Sequence, residues 1–189
     1  MLKWYADNTE LSTDKGKPNV LVFGGVIVDA DSEKKIIALM KEIKSQFTFP
    51  TMPVKYNLRD LKDTYAEFNR LNDFEQLKEK SYEWRTELFK KSLDIEYEVI
   101  LACTERHPSK IPLKKIKEEL TGICFSQSLM RVGLFAKVRK FKDDFEVILD
   151  WPDSSNPKPF NREYFRAYNQ GKSQSGIEYF SGPLIDLGF

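Results

Sequence analysis

The chain has 189 residues, enough for one domain, and its 41% apolar and 13% aromatic residues can fill a core. Charged residues make up 31%, mixed in sign and summing to a formal +1, which excludes a disordered polyelectrolyte and any global attraction to nucleic acid or membrane. Lys3, Asp7 and Glu10 break up the opening residues, and the longest apolar run, Val20 to Val28, falls well short of the roughly 20 residues of a membrane helix. A cytoplasmic protein with no membrane partner is expected.

Met1 to Asp7 alternates, with Leu2, Trp4 and Ala6 on one side and Lys3, Tyr5 and Asp7 on the other, as in a strand near the centre of a sheet. Asn8 to Asn19 reads as a polar turn, and Val20 to Val28 as a second strand antiparallel to the first. Asp31 or Ser32 is suited to cap a helix carrying Ile36, Leu39, Met40, Ile43 and Phe47. Phe49, Pro50, Met52 and Pro53 enforce an extended connection. Leu58, Leu61, Tyr65, Phe68 and Leu71 mark a second helix, and Phe74, Leu77, Trp84 and Leu88 a third.

Ile95 to Thr104 alternates as a third strand, with Ile95, Tyr97, Val99, Leu101 and Cys103 facing one way. Pro112 opens a long helix reaching about Lys140. Its stripe is Leu120, Ile123, Cys124, Met130, Leu134 and Val138, widened by Phe125, Leu129, Val132 and Phe135. Phe145 to Asp150 is a fourth strand, followed by a polar, Gly/Ser-rich stretch with one short helix near Arg162 to Tyr168. The pattern predicts a single α/β domain, residues 1–189, with a mixed sheet and packed helices.

Several chemistries fail on inspection. Gly171-Lys172-Ser173 is no phosphate-binding loop, because Arg166 stands where that motif needs a glycine. His107 is the only histidine, which excludes a multi-histidine zinc site. Cys103 and Cys124 form no C-x-x-C pair and read as reduced core thiols. Cys103 with His107 could be a nucleophile and base, but a strand-end thiol near a surface histidine is the plainer explanation.

Asp7 and Asp150 each close an apolar strand, where a carboxylate is costly to desolvate without a cation or donors. On neighbouring strands they would offer hard oxygen ligands for Mg²⁺ or Mn²⁺; otherwise each marks a strand end near water. From Arg106 to Lys142 there are ten Lys/Arg against two Glu. The clusters Lys110, Lys114, Lys115, Lys117 and Lys137, Arg139, Lys140, Lys142 read either as a track for a nucleic-acid backbone or as two solvated helix ends.

Tyr5-Ala6-Asp7-Asn8-Thr9-Glu10, then Val22-Phe23-Gly24-Gly25-Val26-Ile27-Val28, resembles a prokaryotic family, the domain of unknown function 3800 (DUF3800) family, of the ribonuclease H-like superfamily. Lys55-Tyr56 and Val147-Ile148-Leu149-Asp150 stand where further family landmarks are expected, so the likeness spreads from Trp4 to about Asp150. The resemblance implies a ribonuclease H-like mixed sheet with packed helices and a nuclease with two divalent metals, in which Asp7 is the first-strand ligand and Asp150 a later one. Two departures stand out. Asn8 replaces the glutamate that usually follows the first aspartate, with Glu10 displaced by two positions. The family's closing Leu-Gln-x-Ala-Asp helix is not found, and Asp186 is no match for it, so the chain is expected to be either truncated at its C-terminus or incomplete in its acidic site. Two functions follow: a metal-dependent phosphodiesterase, or a non-catalytic module that binds nucleic acid or a protein partner. No motif supports a small-molecule enzyme.

Overall fold

The computed structural model describes residues 1–11, 20–47, 52–55, 58, 61–105, 113–141, 145–149 and 184–188, with the backbone alone for residues 10, 11, 113–119, 145 and 184–188. By contact they form two compact units, Met1–Ala30 with Tyr97–Phe189, and Asp31–Glu96.

The first unit is built on a mixed sheet. Strand β1 (Leu2–Leu11) pairs antiparallel with β2 (Val20–Asp29), which pairs antiparallel with β3 (Glu98–Glu105). On the other side of β1, strand β4 (Phe145–Leu149) runs parallel to it, and β5 (Leu184–Gly188) adds a short parallel strand, giving the order β3-β2-β1-β4-β5. The first strand is therefore central, with the second antiparallel beside it, as its alternation implies. It runs four residues further than expected, since Asn8 to Leu11 pair with Val20 to Phe23. The apolar run of β2 supplies a ladder partner that a reading of local turn residues overlooks. β5 was not expected from the sequence: Leu184-Ile185-Asp186-Leu187 is a short apolar run with one polar break and becomes a strand through its pairing with β4.

Helix α5 (Leu113–Val138) lies on β2 and β3. Its core face is Cys124, Phe125, Leu129, Val132 and Ala136, packed with Trp4, Ala6, Phe23, Ile27, Val147 and Leu149. Trp4 meets Phe23 edge-on at 6.0 Å between centroids, and Phe23 meets Phe125 edge-on at 5.3 Å. Each such pair adds about 0.5–1.5 kcal/mol beyond the burial of its area. Within this core Ser128 donates its hydroxyl proton to the carbonyl of Phe23 at 2.9 Å, which satisfies a fully buried polar group.

The expected apolar stripe is thus rotated. Ile123, Leu134 and Val138 are 52%, 54% and 70% exposed. Apolar residues surround this helix, so periodicity alone does not say which arc meets the sheet; Ser126 and Ser128, small and buried, mark it. After Val138 the chain turns at Lys140, φ 53°, where the Lys140 amide donates to Lys137 O and the Phe141 amide to Ala136 O, both at 2.9 Å. This left-handed cap closes the last carbonyls and returns Phe141 onto the core.

The second unit holds α1 (Ala30–Phe47), α2 (Lys62–Glu67), α3 (Leu71–Glu79) and α4 (Ser81–Ser92) around a core of Leu39, Ile43, Met52, Leu61, Tyr65, Phe74, Leu77 and Trp84. α1 starts at Ala30, so neither Asp31 nor Ser32 is its cap; Asp31 lies with Glu33 in the first turn, where negative charge suits the helix N-terminus. The two helices expected between Leu58 and Leu88 are three. Asn69, φ 55°, ends α2, with the Asn69 amide donating to Ala66 O at 2.9 Å and the Arg70 amide to Tyr65 O at 2.8 Å. Asparagine tolerates this conformation better than most residues, which divides a helical pattern whose apolar spacing is unbroken. A second break falls at Lys80, between α3 and α4. Tyr65 donates its hydroxyl proton to Pro53 O at 2.9 Å and Trp84 its indole proton to Leu77 O at 3.1 Å, so both buried aromatics are satisfied. Lys91 of α4 binds Glu42 of α1 as well as Glu87, and these carboxylates hold its ammonium above the usual lysine range.

Phe125→Ala should destabilise the protein by about 3–5 kcal/mol, because a fully buried ring leaves a cavity, while Ile123→Ala should stay within about 0.5 kcal/mol. Urea melts of the two variants check the assignment of the buried face; equal losses would overturn it.

Candidate functional site

The core fixes which β1 side chains look away from α5. With Trp4 and Ala6 turned into the core, alternation puts Lys3, Tyr5 and Asp7 on the opposite face of the sheet. The same face carries Val26 opposite Tyr5, Gly24 opposite Asp7, and Ile148 beside Tyr5. Continuing outward across β2, it carries Val99, Leu101 and Cys103 of β3, of which Val99 and Leu101 are more than half exposed.

An open depression of about 460 Å³ lies on this face, lined by Tyr5, Ala6, Asp7, Gly24, Gly25, Val26, Ile148 and Leu149. The two glycines make its floor. A Cβ at Gly24 would run into the carbonyl oxygen of Ile100, and one at Gly25 into that of Tyr5, so neither position accepts a side chain. Among the described lining residues Asp7 is the one that is charged, and it is exposed. The Asn8 amide donates to its Oδ1 at 2.6 Å, which orients the carboxylate.

Asp150 lies outside the described residues. The strand before it does not: Leu149 is opposite Ala6 in the parallel β1–β4 pair. Asp7 and Asp150 each follow one of these partners in the sequence. Asp7 is a hard oxygen donor of the kind Mg²⁺ and Mn²⁺ take, and so fits as one ligand. Among the described residues, however, no group of three His, Cys, Asp or Glu side chains could hold a metal.

The basic residues do not form one patch. Cys124 points its thiol toward Leu21 O (3.9 Å) and Ser128 contacts Phe23 O, so α5 runs along β2 in the same direction and opposite to β1. Its first turns, with the backbone of Lys114, Lys115 and Lys117, lie toward the Val20 end of β2, whereas Asp7, opposite Gly24, stands level with the middle of the helix and on the other face of the sheet. Lys137, Arg139 and Lys140 lie at the other end, about 30 Å along the axis from Lys117. There Arg139 pairs with Glu98 at 2.9 Å and stacks over Phe135 at 5.6 Å. Lys110, Lys142 and His107 lie outside the described residues.

No protein-family model matches this chain, and no curated protein matches it. Among the described residues no helix is long and apolar enough to cross a membrane.

The thiols differ from the expectation of two core cysteines. Cys124 is buried but Cys103 is exposed, because the β3 face that carries it is not the one under α5. Burial pushes the Cys124 thiol up to about 11, with nearby Cys103 adding to the shift. At pH 8 only about one part in a thousand of such a thiol is ionised. Iodoacetamide at pH 8 should therefore alkylate Cys103 in the folded protein and reach Cys124 only after denaturation. Mass spectrometry showing equal labelling would contradict this.

Proposed function

We propose that this chain is a divalent-metal-dependent nuclease of the ribonuclease H-like type, in which Asp7 and Asp150 are the metal ligands and act on phosphodiester bonds. The observation that carries the reading is the parallel pairing of the central strand with β4, where Ala6 and Leu149 are opposite each other and each is followed by an aspartate. A central first strand with an antiparallel second strand, and a long helix across one face, support the same fold family. Asp7 opens onto a depression that two glycines keep clear of side chains, which leaves space for a phosphate to approach the carboxylate. The Asn8 amide holds that carboxylate in one orientation, and β1, hydrogen-bonded on both sides, gives it a rigid base. Bound there, Mg²⁺ or Mn²⁺ would supply Lewis acidity toward a phosphate oxygen and lower the pKa of water.

A second reading is a ribonuclease H-like module that binds nucleic acid or a protein without cutting. Asn8, uncharged beside Asp7, favours it, as does the single carboxylate among the described lining residues.

Labelled single- and double-stranded DNA and RNA, incubated with Mg²⁺ or Mn²⁺, separate the two. The nuclease reading expects cutting that EDTA stops and that Asp7→Asn lowers by roughly a hundredfold or more, with the melting transition unchanged. Cutting in EDTA, or full activity in Asp7→Asn, leaves only the binding module.

The basic end of α5 gives a separate expectation. Replacing Lys114, Lys115 and Lys117 with Gln should weaken binding and flatten its dependence on log salt by up to about 2 for a single strand, three phosphate contacts being lost. Replacing Lys137 and Lys140 in the same way probes the opposite end of the helix, about 30 Å from Lys117 along its axis, and the set that flattens the slope identifies the end that meets the backbone. Equal effects of the two sets would remove the polarity of this surface.

A further inference from the structure

The lining of the depression is the feature that the metal site does not use. Among the described lining residues, beside one carboxylate stand an aromatic ring, Tyr5, two aliphatic side chains, Val26 and Ile148, and backbone at the glycines, with no lysine or arginine. A duplex presents phosphates and sugars to a protein surface and keeps its base faces stacked inside, so it makes poor use of an apolar floor. An unpaired base exposes an aromatic face and gains by covering one. Tyr5 is half-buried, bracketed by its register partners Val26 and Ile148, and two residues from Asp7 on the same face, which sets them about 7 Å apart along the strand. That is the separation of a base from the phosphate of its own nucleotide, to order of magnitude. Two residues further back on the same face stands Lys3, in a loose 3.9 Å ion pair with Glu146, so the row along β1 is cation, aromatic ring, carboxylate.

From this juxtaposition we infer that the depression takes an unpaired nucleobase stacked on Tyr5, and that the substrate at Asp7 is single-stranded nucleic acid. The inference rests on the nuclease reading for the role of Asp7, but the stacking contact does not require the metal.

The test is binding of the 189-residue chain, in EDTA, to fluorescein-labelled twelve-nucleotide oligo-dT and oligo-U, each compared with the corresponding duplex. Single strands should bind at least tenfold tighter than duplexes. Tyr5→Leu should weaken single-strand binding by roughly fivefold to a hundredfold and leave duplex binding unchanged. Tyr5→Phe, which keeps the ring, should bind as the parent does and guards against a folding defect in the leucine variant. Duplexes binding as tightly as single strands, or Tyr5→Leu binding single strands like the parent, would overturn the inference. Single-strand binding that depends on Tyr5 but is never followed by metal-dependent cutting supports the stacking site and removes the nuclease reading alone. Metal-dependent cutting that ignores Tyr5 does the reverse.

Discussion

Trp4, Phe23 and Phe125 form an edge-to-face chain that joins the central strand, its antiparallel neighbour and the long helix. Much else follows from that contact. In a strand the side chains alternate, so fastening Trp4 beneath α5 assigns Ala6 to the helix side and Tyr5 and Asp7 to the other. A slip of one residue would bury a carboxylate under an apolar helix and put Trp4 in water, at a large cost in both places. The aromatic chain is therefore also what delivers Asp7 to an open face. The register with β4 extends the constraint, because Val147 and Leu149 share the core with Trp4 and Ala6 while Ile148 is turned toward Tyr5.

The helical unit between β2 and β3 is organised on a different principle. Three of its four helices are short, and its core depends on two large polar aromatics, Tyr65 and Trp84, whose donors find the carbonyls of Pro53, in the connection after α1, and of Leu77, in the last turn of α3. The hydroxyl of Tyr65 reaches Pro53, which ties the connection after α1 to α2, and the Lys91 ion pairs tie α4 to α1. Such links determine how α2, α3 and α4 pack, since helices of that length are marginal alone.

Much of the sheet was legible in the sequence. The alternation around Trp4 and the apolar run from Val20 carried β1, β2 and their antiparallel pairing, and Val147-Ile148-Leu149 carried β4. What escaped has a common cause: it depends on a partner distant in sequence. The extension of β1 through Leu11 exists because β2 begins at Val20, and β5 exists because β4 has an edge to offer. The rotation of α5 was hidden because Ile123, Leu134 and Val138 are as apolar as the residues that face the sheet. The break at Lys80 falls inside an unbroken apolar spacing, and the same spacing set the expected boundary between the second and third helices after Leu71 instead of at Asn69. At the candidate site Asp7 was legible from its place on a strand, whereas the depression was not: Gly24-Gly25 announces a close approach only once Tyr5 and Ile100 are known to stand against it. The separation of the two basic clusters could be read from helix length, but their placement relative to Asp7 needed the direction of α5 along β2.

The twin glycines have an evolutionary consequence. They serve two masters at once, letting three strands close up on one another and keeping the floor beside Asp7 bare, so natural variation cannot reshape the hollow by adding bulk there without prising the sheet apart. Diversification of this surface is channelled instead into the rim, to the side chains of Tyr5, Val26 and Ile148, which stand above the ladder and can change size while the backbone stays where it is. Selection on ligand choice and selection on folding therefore act on separate residues, and a library that seeks new binding behaviour in this protein belongs at those three positions.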